Sequence, residues 1–168
     1  EDRSLLQRSA TYLQECIDEI RSISKRLSAP TLGKILLKDS IGELVASINL
    51  THRVDISFET RGLKEKSVSE ELHLAIYRIV QEGLNNIIKY AGAQTARISI
   101  RATRGKITLL IADDGKGFDS NGKRGGIGLT NMKTRAENLD GTFELQTEPG
   151  RGCTIKVCFP EHLPETGC

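Results

Sequence analysis

A chain of 168 residues has room for one domain and an appended helix. Its net charge of +2 is too small to argue for nucleic-acid binding, and 4% aromatics with no Trp leave no base-stacking platform. No apolar run approaches the roughly 20 residues of a membrane span, and no charged-then-apolar leader opens the chain. A chain that begins at Glu1 rather than Met is expected to be a piece of a longer protein, with any membrane contact confined to absent upstream segments. Cys16, Cys153, Cys158 and Cys168 form no C-x-x-C pair and cluster with no His, which predicts four reduced thiols in a cytosolic protein.

In chain order, residues 4–28 are predicted to be a helix. Leu6, Leu13, Ile20 and Leu27 recur every seven residues, with Cys16 and Ile23 between them. That stripe suits either packing on its own domain or, as preferred here, a dimerising bundle helix. Pro30 ends it. Residues 33–50 form a second helix with Ile35, Leu36, Ile41, Leu44, Val45 and Ile48 apolar. Val54, Ile56 and Phe58 alternate with polar residues, so 53–60 is a strand. After a turn from Gly62 to Ser67, Ser69 caps a helix running to about Tyr90, and Ala91-Gly92-Ala93 stops it. Strands 95–103 and 106–113 are joined at Arg104-Gly105. A glycine-rich loop leads to a helix over about 127–139, stopped at Asp140-Gly141. Strands 142–148 and 152–159, joined by Glu148-Pro149-Gly150-Arg151, close the domain, and a polar tail begins at Glu161. Hairpin-linked strands alternating with helices predict a two-layer α/β sandwich, one mixed sheet with helices on one face, plus the long N-terminal helix.

The helix over 69–90 has two unlike faces. Ile76, Val80, Leu84, Ile87 and Ala91 share one, while Arg78, Glu82, Asn85, Asn86 and Lys89 share the other. A solvated face has the same pattern, but these identities also suit chemistry. The Asn86 carboxamide suits Mg²⁺ already bound to phosphate, Glu82 suits a base or an orienting group, and Lys89 suits a phosphate contact.

The loop from Asp113 to Gly128, DDGKGFDSNGKRGGIG, holds six glycines in sixteen residues and ends at a helix start. Such a loop brings backbone N–H groups close to phosphate. Its acidic entrance, Asp113-Asp114, repels phosphate, so the ligand it suits has two unlike ends, as a nucleotide does. Gly117 to Lys123 spells the start of a P-loop, but Arg124 stands where Ser or Thr is needed, and no complete G-x-G-x-x-G is present. A plain surface loop is the competing description.

Glu82-x-x-x-Asn86-x-x-Lys89-Tyr90-Ala91, then Asp113-Asp114-Gly115-Lys116-Gly117, then Gly126-Ile127-Gly128-Leu129 resemble, in order, the N, G1 and G2 boxes of the GHKL (Bergerat-fold) ATPase superfamily. The resemblance spans roughly 33–160. Arg78-Ile79-Val80-Gln81-Glu82, Gly128-Leu129-Thr130-Asn131-Met132-Lys133-Thr134-Arg135-Ala136 and Gly150-Arg151-Gly152-Cys153-Thr154 resemble the nitrate/nitrite-sensor and DesK-like sensor histidine kinases. Glu19-Ile20-Arg21 and Leu27-Ser28-Ala29-Pro30 resemble, more loosely, the second helix of their dimerisation hairpin. The resemblance divides the chain into a partial hairpin at 1–30, a catalytic ATP-binding domain at 31–160 and a tail at 161–168.

The resemblance implies these roles. Asp113 accepts from the adenine amino group, and Asn86 coordinates Mg²⁺ bridging the phosphates. Glu82 activates or orients the phosphoacceptor. Lys89 and Tyr90 line the phosphate and ribose side, Gly115 and Gly117 hinge a lid, and Gly126, Ile127, Gly128 and Leu129 bring backbone near the phosphates. Thr154 supports the base pocket, although the family often has Thr where Cys153 stands. Lys116, Lys123 and Arg124 either offset triphosphate charge or form a solvated face. None of His52, His73 and His162 lies where the family carries its phosphoacceptor. The implied function is transfer of the γ-phosphoryl group of ATP to a histidine outside this chain, then to a response regulator, in a homodimeric sensor whose cytoplasmic part this is. The alternatives are a serine kinase of the anti-sigma-factor type and a non-catalytic nucleotide-sensing dimerisation module.

Overall fold

The structure, a computed structural model, describes residues 35–64, 68–103, 105–119 and 126–160. The expected helix over 4–28, the tail, His162, Cys16, Cys168, Lys123 and Arg124 lie outside the described residues.

Helix α1 spans Leu37–Thr51, and its buried Leu37, Ile41 and Val45 repeat every four residues. Asn49 ties it to strand β1 (Asp55–Arg61): its Nδ2 donates to the Ile56 carbonyl at 2.9 Å and its Oδ1 accepts from the Ile56 amide at 3.0 Å. Helix α2 spans Glu70–Asn86 and is capped as predicted, the Ser69 Oγ accepting from the Leu72 amide at 3.2 Å. Leu72, Ile76, Ile79, Val80 and Leu84 are buried along it. The regular helix expected as far as Tyr90 stops short at Asn86. Ile87–Ala91 widens into a π-helical turn, ended by Gly92 in the left-handed region at φ 62°. The widened turn keeps Ile87 in the core while Lys89 and Tyr90 stay exposed.

Strands β2 (Thr95–Thr103) and β3 (Lys106–Asp113) match the predicted bounds. Helix α3 spans Ile127–Glu137, followed by β4 (Thr142–Thr147) and β5 (Cys153–Pro160). The sheet order is β1-β2-β3-β5-β4. β1 and β2 are parallel, because α2 supplies the crossover, and every other pair is antiparallel. Ile98 and Ile100 of β2, Leu109 and Ile111 of β3, and Ile155 and Val157 of β5 point into one core shared with the helices. The alternate residues, among them Arg97, Arg101, Thr108 and Lys156, face outward at least partly exposed.

His73, which opens α2, is 5% exposed, and its Nε2 lies 2.9 Å from the Ser40 Oγ, which donates to the Leu37 carbonyl at 3.0 Å. It joins α1 to α2. Gly83 lets α2 approach the sheet: a Cβ there would lie 2.9 Å from the Ile111 Cδ1. That approach brings the C-terminal half of α2 over the ends of β3 and β5.

Candidate nucleotide site

A cavity of about 640 Å³ opens among the end of α2, the π-helical turn, the ends of β3 and β5, and the start of α3. Ile87, Ala91, Ile111 and Ile155 give it apolar walls, and Glu82, Asn86, Asp113 and Lys116 bring charged or polar groups to it. Its volume lies within the ordinary range for small-molecule sites.

Asp113 ends β3 with the same inward parity as Ile107, Leu109 and Ile111. Its Oδ1 accepts from the Gly115 amide at 2.9 Å. Burial pushes its pKa up and the neighbouring Asp114 charge adds to the rise, opposed by the Gly115 and Cys153 backbone groups. Asp114 does the opposite. Its Oδ1 accepts from the Gln94 and Thr95 amides at 2.8 and 2.9 Å, and its Oδ2 from the Thr95 hydroxyl at 2.8 Å. These bonds hold its carboxyl below the usual range. Asp114 therefore fixes the start of β2, and Asp113 alone of the two lines the cavity.

The first part of the glycine loop is anchored on both sides. The Lys116 amide donates to the Ala91 carbonyl at 2.9 Å, the Gly150 amide to the Lys116 carbonyl at 2.6 Å, and the Phe118 amide to the Thr147 hydroxyl at 3.1 Å. Gly117, at φ 55°, is wedged against the carbonyls of Glu148 and Gly152. Gly115 has no room for a side chain, since a Cβ would lie 2.5 Å from the Ala91 carbonyl oxygen. The P-loop look-alike thus begins on a glycine locked by backbone, and residues 120–125 lie outside the described ones.

At the far side of the loop, Gly126 is the N-cap of α3 with no side-chain cap bond, and the first turn holds no acidic residue. The Leu129 and Thr130 amides bond the Gly126 carbonyl at 3.0 and 3.3 Å. An uncapped helix start carries partial positive charge and amides suited to an anion. The Glu82 carboxylate lies against the α-carbon of Gly128 there.

Of the residues singled out in the sequence, Glu82, Asn86, Tyr90, Asp113, Gly117, Gly126, Ile127, Gly128 and Leu129 line the cavity. Lys89 is exposed and outside the lining, Gly115 reaches it only through its amide on Asp113, and Thr154 is absent from it. Thr154 pairs with Ala112 on the outer parity of β5. The position beside Asp113 belongs to Cys153, which is its register partner and lines the cavity. Burial and the Asp113 charge push the Cys153 thiol up to about 11, against a hydrogen bond from Thr147. The sequence reading also passed over Phe118 and Asp119, for which no motif position exists. Among the described residues no group of three or more His, Cys, Asp or Glu is placed to hold a metal.

Residues 71–163 match the family model described as histidine kinase-, DNA gyrase B- and HSP90-like ATPase. The chain is 31% identical over 149 residues to the signal transduction histidine-protein kinase/phosphatase DegS of Brevibacillus brevis, covering 88% of this chain and 38% of that protein. It is 30% identical over 144 residues to UhpB of Salmonella typhimurium, which carries the same description, covering 86% and 28%. It therefore spans between about a quarter and two fifths of the curated relatives it matches. Solved structures show the same fold. The blue-light activated histidine kinase of Erythrobacter litoralis superposes with a TM-score of 0.71 at 18% identity, over 89% of this chain and 52% of that one. The ATP-binding domain of PrrB from Mycobacterium tuberculosis gives 0.55 at 18%, over 75% and 94%. The chain belongs to the histidine kinase-, DNA gyrase B- and HSP90-like ATPase family, and both of these curated relatives are signal transduction histidine-protein kinase/phosphatases.

Proposed function

We propose that this chain is the catalytic ATP-binding part of a two-component sensor histidine kinase. It would bind ATP with Mg²⁺ and donate the γ-phosphoryl group to a histidine outside these residues, for relay to a response regulator aspartate. One observation carries the reading: a single cavity joins a half-buried carboxylate in apolar surroundings, Asp113, to an uncapped helix start flanked by Glu82. That polarity suits a base at one end and phosphates at the other.

On this reading Asp113 accepts from the exocyclic amino group of adenine, and a guanine carbonyl in its place would face a second acceptor. Ile87, Ala91, Ile111 and Ile155 pack the base. Gly126, Ile127, Gly128 and Leu129 present the α3 start to the phosphates. Asn86 is the donor suited to Mg²⁺, which when bound neutralises phosphate charge. Tyr90 flanks the site, and Lys89, from outside the lining, would reach only a phosphate that extends beyond the cavity. In the transfer, the γ-phosphorus exchanges its bond to the β,γ-bridging oxygen, which leaves with ADP, for one to an imidazole nitrogen. Glu82 would orient that ring or receive its N–H proton. Positioning and charge neutralisation dominate such a reaction. The parent protein is then a homodimeric sensor, with this part in the cytoplasm. Among the described residues no helix is long and apolar enough to cross a membrane.

Calorimetry should show Mg²⁺-dependent binding of ATP and ADP that Asp113→Asn abolishes. With γ-labelled ATP, acid-labile label should appear on a histidine-bearing helical hairpin supplied in trans and not on this chain. Unchanged affinity in the Asn variant, or acid-stable label, overturns the reading.

A further inference from the structure

Of the cavity's glycines, Gly117 is pressed against backbone carbonyls, Gly126 has nothing within 4 Å of a would-be Cβ, and Gly83 makes room for the apolar Ile111 side chain in the core. Gly128 differs. Its backbone is helical, so its conformation does not call for glycine. The three atoms nearest a Cβ built on it all belong to one side chain: Oε1 of Glu82, which that Cβ would overlap, then Cδ at 3.1 Å and Cγ at 3.5 Å. The Glu82 carboxylate thus occupies the space that any other residue at 128 would fill, at the positive end of an uncapped helix that favours an anion.

We infer that Gly128 is a positioning residue for Glu82: its missing side chain is the seat that holds the Glu82 carboxylate at the α3 start. The inference rests on the proposed phosphoryl transfer and on Glu82 acting in it, and it adds a second role for Gly128 besides its backbone amide. An alanine at 128 keeps that amide and suits the helix. Its methyl would meet only the far end of a flexible side chain, so the fold yields by moving Glu82, not backbone. The loss therefore falls on the chemical step and not on folding.

The test is a double-mutant cycle in steady-state transfer to the supplied hairpin, using wild type, Glu82→Ala, Gly128→Ala and the double variant. Removing a positioned acid–base group lowers such a rate by about 10²–10⁴-fold. Gly128→Ala is expected to lower kcat by roughly tenfold or more, with the KM for ATP within about threefold. In the Glu82→Ala background the same change is expected to have no further effect. A second readout needs no nucleotide. The ¹³C carboxyl resonance of Glu82, identified by its loss in Glu82→Ala, should move in Gly128→Ala, while the melting temperature stays at or above that of wild type. Losses that multiply in the double variant, or an unmoved resonance, overturn the inference and leave the proposed function standing. A Glu82→Ala variant as active as wild type removes both the role assigned to Glu82 and the inference. A wild-type chain that binds no ATP overturns the proposed function itself.

Discussion

Gly117→Ala tests whether the glycine loop is held by backbone packing. Gly117 sits at φ 55°, and a Cβ there would overlap the Glu148 carbonyl oxygen and lie 2.7 Å from that of Gly152. Left-handed backbone costs a non-glycine residue about 1–2 kcal/mol. The two carbonyls cannot swing aside as a side chain would. The Gly152 oxygen accepts from the Thr147 hydroxyl at 3.0 Å, and the turn that carries Glu148 is tied to the loop by the 2.6 Å bond from the Gly150 amide to the Lys116 carbonyl. Overpacking against such a frame adds about 1–3 kcal/mol. The sum, about 2–5 kcal/mol, corresponds to a melting shift of roughly 5–20 °C for a chain of this size. Gly126→Ala is the control: φ is −52° and a Cβ has nothing within 4 Å, so only the N-cap preference for Gly over Ala is lost, about 0.5–1 kcal/mol. Thermal unfolding followed by circular dichroism without nucleotide reads both. A Gly117→Ala variant melting within about 2 °C of wild type would refute the packing argument, as would equal losses in the two variants.

Asp113→Asn should stabilise the fold while destroying base recognition. Burial raises the Asp113 pKa, so the folded chain holds this proton more tightly than the unfolded chain. Stability contributed by the protonated form is present at low pH and lost as pH rises through the raised value. The Asn variant should therefore gain on wild type from the ordinary carboxylate range upward, and a constant difference from pH 4 to 8 in denaturant melts would contradict this. Cys153, pushed up to about 11 from 9.0, has about 100-fold less thiolate at pH 8 than an ordinary thiol. Iodoacetamide should label it correspondingly slowly, with the rate still climbing above pH 9. Labelling at the rate of a free peptide thiol, read by peptide mass spectrometry, would show the burial to be wrong.

How much of the fold and site was legible in the sequence depends on how local the cause is. β2 and β3 could be bounded to the residue because Ala and Ile alternate with polar residues through β2, a run rich in Ile and Leu ends at Asp113 in β3, and Arg104-Gly105 marks the turn. The π-helical turn at Ile87–Ala91 could not, since five residues are too few for a 3.6 repeat to be told from a wider one. That turn is why Lys89 lies outside the cavity while Asn86, one residue before it, lines it. The exchange of Thr154 for Cys153 was legible and missed. Ile155, Val157 and Phe159 fix the inward parity of β5, and odd numbering carries Cys153 inward with them. Residue type favours Thr154 although the motif's register falls on Cys153, and the pleat agrees with the register. The contact between Glu82 and Gly128 was not legible, because it depends on how closely α3 approaches α2.

The two adjacent aspartates looked like an obstacle to phosphate, and strand geometry removes it. Successive residues of a strand face opposite sides, so Asp113 and Asp114 diverge at the end of β3. The bonds from Gln94 and Thr95 occupy both Asp114 oxygens, and that charge serves the sheet edge. Burial makes a charge on Asp113 costly, and a ligand donor beside it would offset that cost. Of these acids only Glu82 stands at the helix start where the proposed phosphates would lie, seated against a glycine. An anion arriving there must share the α3 start with Glu82 or turn its carboxylate toward whatever stands beyond. An acid that shared Mg²⁺ with the phosphates would also gain from that seat, and its loss would raise the KM for ATP, whereas the loss of one that acts on an incoming imidazole would lower kcat alone.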